Sequence, residues 1–185
     1  DDVESRGLGD VYKRQVIIRG KNAYSGKITK TFTIVKAAKG KTYTVGKFKY
    51  TITGAKADGT GTVAISGTTY TRSDKKFASL TISDAVVIGG VKFKITSVGA
   101  NAFSRYSMLT SVVIGNNVTS IGSNAFVSCK NLKKVTIKST KLKGVGAKAF
   151  SGTYSKVTFV LPKSKAASYK KLIKNGSPSA NAIYK

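Results

Sequence analysis

Between Val98 and Phe150 the chain states one phrase three times: Val98-Gly99-Ala100-Asn101-Ala102-Phe103, Ile121-Gly122-Ser123-Asn124-Ala125-Phe126 and Val145-Gly146-Ala147-Lys148-Ala149-Phe150. The phenylalanines fall 23 and 24 residues apart, a period at which self-similarity signals a solenoid of stacked coils. A second column agrees: Val112-Val113-Ile114, Val135-Thr136-Ile137 and Val157-Thr158-Phe159 recur at spacings of 23 and 22. A chain built this way stacks supersecondary units, each too small to bury its apolar face alone.

The repeat positions divide by physical role. Val112 and Ile114 point to one face of a short strand and Val113 to the other, because strand side chains alternate. Stacking sets Val135 and then Val157 beneath Val112, a parallel ladder of apolar residues. Leu109, Leu132 and Tyr154 close the coils, while Gly99, Gly122 and Gly146 give the backbone freedom to turn. Phe103, Phe126 and Phe150 then form an aromatic spine beside small alanines. Phe77-Ala78-Ser79-Leu80-Thr81-Ile82 matches Leu109 to Ile114, so the repeat begins here. The extra length before the next copy is Val87 to Ile95, whose Gly89-Gly90 centre between apolar residues predicts a small hairpin.

The flanks read as caps. Solenoids need their ends covered, and Tyr43, Val45, Phe48, Tyr50 and Ile52, a turn over 54–61, then Val63, Ile65 and Tyr70 predict two antiparallel strands before the first coil. At the other end Ala167, Tyr169, Leu172 and Ile173 share one face of a short helix between Pro162 and Gly176. Ile183 and Tyr184 follow as a last strand or loose end. The division expected is a non-native, unstructured segment over 1–15, a β module over 16–38, a β-hairpin cap over 39–76 and the solenoid with its C-terminal cap over 77–185.

The first segment has its own signature. Ser5-Arg6-Gly7-Leu8-Gly9-Asp10-Val11-Tyr12-Lys13-Arg14-Gln15 resembles, codon for codon, the translation of a transposase-type sequencing adapter, and is expected to pack against nothing specific. After it, Asn22-Ala23-Tyr24-Ser25-Gly26 leading into Lys30-Thr31-Phe32-Thr33-Ile34 resembles the closing strands of bacterial immunoglobulin-like modules. That resemblance implies a remnant hairpin whose partner strands lie elsewhere; an ordinary β-hairpin accounts for the same residues.

Composition narrows the chemistry. Lys and Arg number 33 against 7 Asp and Glu, a formal charge of +26. Four of the seven acids and three of the 33 bases sit in the first fifteen residues, so the remainder carries 30 bases, 3 acids and no glutamate. Such a chain attracts polyanions. There is no histidine, and Cys129 is the single cysteine, so neither a disulfide framework nor a Cys/His metal site can be assembled. No cofactor motif is present. Serine or cysteine nucleophiles would lack a histidine base, and Asp58, Asp74 and Asp84 sit in turns or the cap with no obvious way to pair as glycosidase carboxylates. No enzyme is expected. No apolar run is long enough to span a bilayer, and no secretory signal opens the chain.

Ile-Gly-x-x-Ala-Phe, then Cys129 and Leu132, then Val-x-Ile resembles the bacterial surface-antigen, BspA-like class of leucine-rich repeat, over Ser79 to Val160. Val160-Leu161-Pro162-Lys163 and Tyr169-Lys170-Lys171-Leu172 are similar to that family's closing segment. Ser107-Met108 and Thr153-Tyr154 depart from its Cys-plus-Leu pattern, so those coils are expected to fill less well. The resemblance implies a mainly β fold: a short leucine-rich-repeat solenoid of stacked parallel strands, period about 23, with an antiparallel β cap before it and a short C-terminal helix. It places Cys129 in the core and implies a secreted or wall-associated adhesion or recognition protein, a monomeric part of a longer chain. The expected partner is a host or bacterial surface protein or glycan, or an anionic wall polymer. Lys134 and Lys138 flank Val135 to Ile137 on the face opposite the core and Lys156 follows in the next coil, a candidate strip for an anionic ligand. A lysine coat that merely solvates the protein, or holds it in an anionic wall as a spacer, explains the same residues. With only Arg19, Arg72 and Arg105 outside the adapter-like segment, nucleic acid ranks last.

Overall fold

The computed structural model describes residues 11–19, 27–35, 38–56 and 60–185. Strands β1 (Val11–Arg19) and β2 (Lys27–Val35) make a two-stranded antiparallel sheet, Val11 opposite Val35 and Arg19 opposite Lys27. Val11 to Gln15, expected to be unstructured, are therefore strand. Once Val16–Ile18 pair with β2, the ladder satisfies backbone groups for as long as both chains run alongside, and β2 extends far enough to hold Val11. Residues 1–10 of the adapter-like segment lie outside the described residues, as does the Asn22-to-Gly26 motif.

The cap has three strands rather than two. β3 (Thr42–Val45) turns at Gly46, where φ is +58°, into β4 (Phe48–Ala55), and β4 pairs antiparallel with β5 (Gly61–Thr68). β5 is also a solenoid rung. It runs parallel to β8 (Val91–Val98), with Ile65 opposite Val98, and that ladder continues through β10 (Ser120–Ile121) and β12 (Gly144–Val145). The predicted decoration is present: β7 (Ala85–Ile88) pairs antiparallel with β8 around Gly89 and Gly90, both at positive φ.

The second ladder is parallel throughout: β6 (Ser79–Ile82), β9 (Ser111–Ile114), β11 (Lys134–Ile137), β13 (Thr158–Val160) and β14 (Ile183–Tyr184). Each coil crosses from the seven-stranded sheet to this five-stranded one, and the core lies between them. Leu80, Val112, Val135 and Phe159 align across the ladder and are buried. The fourth coil differs from the expected register. Phe159, not Val157, lies beside Val135, and Val157 instead closes the coil, fully buried as Leu109 and Leu132 are. Their N–H groups each bond the carbonyl three residues back, at Tyr106, Cys129 and Tyr154. Tyr154, expected to close that coil, is 37% exposed, under the ammonium of Lys133 at 5.7 Å from its ring centre. The valine wins because its branched apolar side chain fills the slot without burying a hydroxyl.

The aromatic spine runs the length of the solenoid. Phe103, Phe126 and Phe150 stack with centroids 5.6 Å apart and planes within 11°. Tyr70 and Phe77 extend the spine into the cap and Phe159 and Tyr184 carry it to the last strand. Each buried phenylalanine contributes about 1.5–3 kcal/mol of burial, and offset stacking adds about 0.5–1.5 kcal/mol.

The repeated glycines serve a purpose other than turning. Gly99, Gly122 and Gly146 do not adopt positive φ; the left-handed residues are Asn101, Asn124 and Lys148, two positions on, at φ 56–57°. A Cβ on Gly122 would lie 2.5 Å from the backbone nitrogen of Ala100, and one on Gly146 would meet Ser123. Here backbone packs on backbone, and only hydrogen fits.

Helix α1 (Ala166–Asn175) closes the C-terminal end with Tyr169 and Ile173 buried. Phe103 and Phe126 donate to the carbonyls of Ala125 and Ala149 in the following coil; Phe150 donates to Gly176 at the helix end. The Tyr169 hydroxyl accepts the Leu142 N–H at 2.8 Å. The helix and β14 thus imitate the coil that would follow, covering the exposed edge.

Candidate functional site

The repeat builds a regular surface on the outward face of the five-stranded sheet. Alternation turns Val112, Ile114, Val135 and Ile137 inward, which leaves Ser79, Thr81, Ser111, Val113, Thr136, Thr158 and Val160 on the other side, exposed or half-buried. These are short, mostly β-branched or hydroxyl-bearing side chains, stiff at χ1. The face is therefore flat and costs little side-chain entropy on contact. From sequence these positions read only as the face opposite the core, although their alternation with Val and Ile was the available signal.

Lys134 and Lys138 stand on this sheet at either end of Val135 to Ile137, both exposed. Lys156 does not join them. Lys134 lies opposite Ser111 on one side and Thr158 on the other, so Lys156 precedes the register position by two residues. Matching Val157-Thr158-Phe159 to Val135-Thr136-Ile137 by hydrophobicity produced the misplacement; counting eight residues from each spine phenylalanine gives Ser111, Lys134 and Thr158. The three-lysine strip reduces to a pair.

Lys138 has a long-range counter-charge. The Asp84 carboxylate accepts the Asn116 backbone N–H at 2.6 Å and its side-chain amide at 3.0 Å. Those bonds, chiefly the side-chain one, together with Lys138 and Lys141 nearby, hold the Asp84 carboxyl below its ordinary range. Asp74 accepts the Lys76 N–H at 2.9 Å. Asp74 is thus committed to its own turn and Asp84 to the neighbouring coil; Asp58 lies outside the described residues. A second lysine cluster, which sequence reasoning missed, rims the cleft of about 430 Å³ where α1 meets the fourth coil: Lys141, Lys143, Lys165 and Lys171 over Leu142 and Leu172.

Cys129 is fully buried, its thiol donating to the Phe103 carbonyl at 3.0 Å, and burial pushes its pKa up to about 11. A protonated, enclosed thiol neither attacks nor ligates. Among the described residues no three of His, Cys, Asp or Glu gather as a metal site would require, and no helix is long and apolar enough to cross a membrane. What the arrangement offers chemically is contact: a sheet face in continuous register that carries ammonium groups.

The fold has relatives of known structure. A leucine-rich cell surface protein from Faecalibacterium prausnitzii A2-165 superposes with a TM-score of 0.50 at 24% identity over 78% of this chain and 43% of its own. A leucine-rich repeat protein from Bacteroides capillosus superposes with a TM-score of 0.53 at 20% identity, over 78% of this chain and 98% of its own. The chain thus spans under half the length of the Faecalibacterium protein. No curated protein matches it in sequence. Residues 66–177 match the family model described as the BspA-type leucine-rich repeat region, beginning at the end of β5 and finishing just past α1. The chain belongs to the BspA-type leucine-rich repeat family.

Proposed function

We propose that this chain is a non-catalytic binding and adhesion module of a bacterial cell-surface protein, engaging a host or bacterial surface protein or glycan through the outward face of its five-stranded sheet. The observation that carries the reading is that face itself: parallel strands in continuous register presenting short, stiff side chains, with Lys134 and Lys138 supplying charge. Affinity on such a surface accumulates from small contacts repeated along the coils, and the lysines favour an acidic partner.

A second reading has support of its own. Every lysine between Lys39 and Lys185 in the described residues is exposed, including Lys92 and Lys94 on the other sheet and Lys163, Lys165, Lys170, Lys171 and Lys174 around the C-terminal cap. Charge spread over all sides suits a spacer retained in an anionic wall without a defined site. The two part on salt, because exposed charge is screened within about 10 Å at 0.1 M. The test is a glycan and surface-protein array read at low and high salt with the wild-type chain and with Lys134 and Lys138 changed to Glu. Binding that survives high salt and weakens in the variant supports the adhesive module. Retention only at low salt, on any anionic spot, would replace it with the spacer.

A further inference from the structure

The chain's arginines mark a place its lysines do not. Between Ala38 and Lys185 the described residues carry 23 lysines and two arginines, Arg72 and Arg105. These two lie 33 residues apart in sequence and line one cleft of about 340 Å³ on the turn edge of the solenoid, with Asn101, Ser104, Asn124 and Ser128. This edge is separate from the sheet face described above.

The cleft is assembled by the stacking of coils. In three successive coils two residues four apart hold left-handed backbone: Asn101 and Arg105, Asn124 and Ser128, Lys148 and Gly152. Every second N–H between them bonds the next coil, Asn101 to Ser123 at 3.0 Å, Phe103 to Ala125 at 2.9 Å and Arg105 to Val127 at 2.8 Å. The corresponding side chains of adjacent coils therefore lie side by side on a rigid edge. Arg72 arrives from the loop after β5. The Ser107 N–H and hydroxyl both donate to its carbonyl, at 3.2 and 3.3 Å, and its Nε donates to the Ser104 carbonyl at 3.4 Å.

Both guanidiniums are exposed, and among the described residues no carboxylate pairs with either. Two like charges sharing a cleft repel, so an anion between them is stabilised by both. Arginine's planar fork suits the paired oxygens of a carboxylate or sulfate better than an ammonium does. Apart from Val127, the rest of the lining is amide and hydroxyl, able both to donate and to accept, which matches sugar hydroxyls. No aromatic ring lines the cleft, so the stacking platform that nucleobases use is missing.

We propose that this cleft binds the carboxylate or sulfate group of an acidic saccharide, with Arg72 and Arg105 holding the anion and Asn101, Asn124 and the two serines holding ring hydroxyls. The inference deepens the adhesive reading and rests on it for its biological setting. The cleft is open and small, so a single saccharide binds in the millimolar range, about −4 kcal/mol.

The test is titration of the full chain, by calorimetry or amide-shift mapping, with galacturonic acid, with N-acetylglucosamine 6-sulfate, with neutral galactose and with sodium sulfate. Two variants are compared, Arg72→Gln and Arg105→Gly. The second keeps the fold, because Arg105 sits at φ +65° where Gly152 stands two coils on; its Tm is equal to or above the parent's. The expected result is binding of one or both acidic sugars, at least tenfold weaker in each variant and unchanged in Lys92→Glu, an exposed lysine of β8, with galactose silent. Carboxylate and sulfate arms show which anion the cleft prefers. Binding unaltered in Arg105→Gly, or galactose bound as well as the acidic sugars, or sodium sulfate bound as tightly as the sulfated sugar, would overturn the saccharide assignment. Loss in Lys134→Glu with both arginine variants intact would overturn it too, while leaving the sheet-face reading standing.

Discussion

Gly122→Ala adds one methyl group, and the structure says where it goes. The new Cβ would stand 2.5 Å from the Ala100 nitrogen, 2.8 Å from the Gly99 carbonyl carbon and 2.9 Å from the Ala100 Cα. All three are backbone atoms of the coil above, so no side chain can swing aside. Relief to ordinary contact requires the coils to part by roughly 1 Å, which stretches the Gly122-to-Val98 and Asn101-to-Ser123 hydrogen bonds, now 2.8 and 3.0 Å. Two weakened bonds cost about 1 kcal/mol each and overpacking costs about 1–3 kcal/mol. The reduced entropy of the unfolded alanine chain returns about 0.4–1 kcal/mol. The net is a loss of about 3 kcal/mol, read as a drop in the urea midpoint or as roughly 6–12 °C in Tm. Gly144→Ala is the internal control. It lies on β12, one coil further on, with no positive φ and nothing within 4 Å of an added methyl, so its midpoint stays put or rises slightly. Equal midpoint shifts for the two variants would refute the claim that the repeated glycine exists for close approach of coils.

Lys148 holds φ +57° where the two preceding coils have asparagine; Lys148→Asn relieves left-handed strain and raises stability by about 1 kcal/mol, measured by the same denaturation. Cys129, with its thiol pushed up to about 11, reacts with a thiol reagent at pH 8 only as fast as the chain opens, and at once in denaturant. For Asp84 the folded pKa lies below the ordinary value of 3.8. Its contribution to stability is therefore complete above that value and is lost as pH falls through the folded pKa. Asp84→Asn, which cannot titrate, flattens the acid limb of a stability-against-pH curve below about pH 4, where the parent still declines.

The features legible in the sequence were those in which one residue type repeats for one physical reason. The Phe103, Phe126 and Phe150 spine, the Gly89-Gly90 hairpin, the parallel ladder of β6, β9 and β11 and the helical cap all follow from local pattern. What was not legible depended on superposing coils. The register of β13 slipped because Val157 and Phe159 are equally apolar, so hydrophobicity alone could not choose between them. β5 joined the ladder without the Gly-x-x-Ala-Phe phrase, leaving no motif to announce it. The strip of Lys134, Lys138 and Lys156 lost a member to the same slip. Arg72 and Arg105 meet across 33 residues, a separation the period of about 23 does not predict, because the β7–β8 hairpin lengthens that coil.

The adhesive reading is tested most directly by crowding the sheet face while raising its charge. Thr136 sits at the middle of β11, half-buried between Val113 and Val160 on the outward side. Thr136→Arg places a long side chain across the flat surface and adds one positive charge. Against a ligand retained at high salt on the array, the account predicts at least a tenfold loss of affinity. Unchanged or tighter binding would contradict it and leave charge alone as the chain's means of attachment.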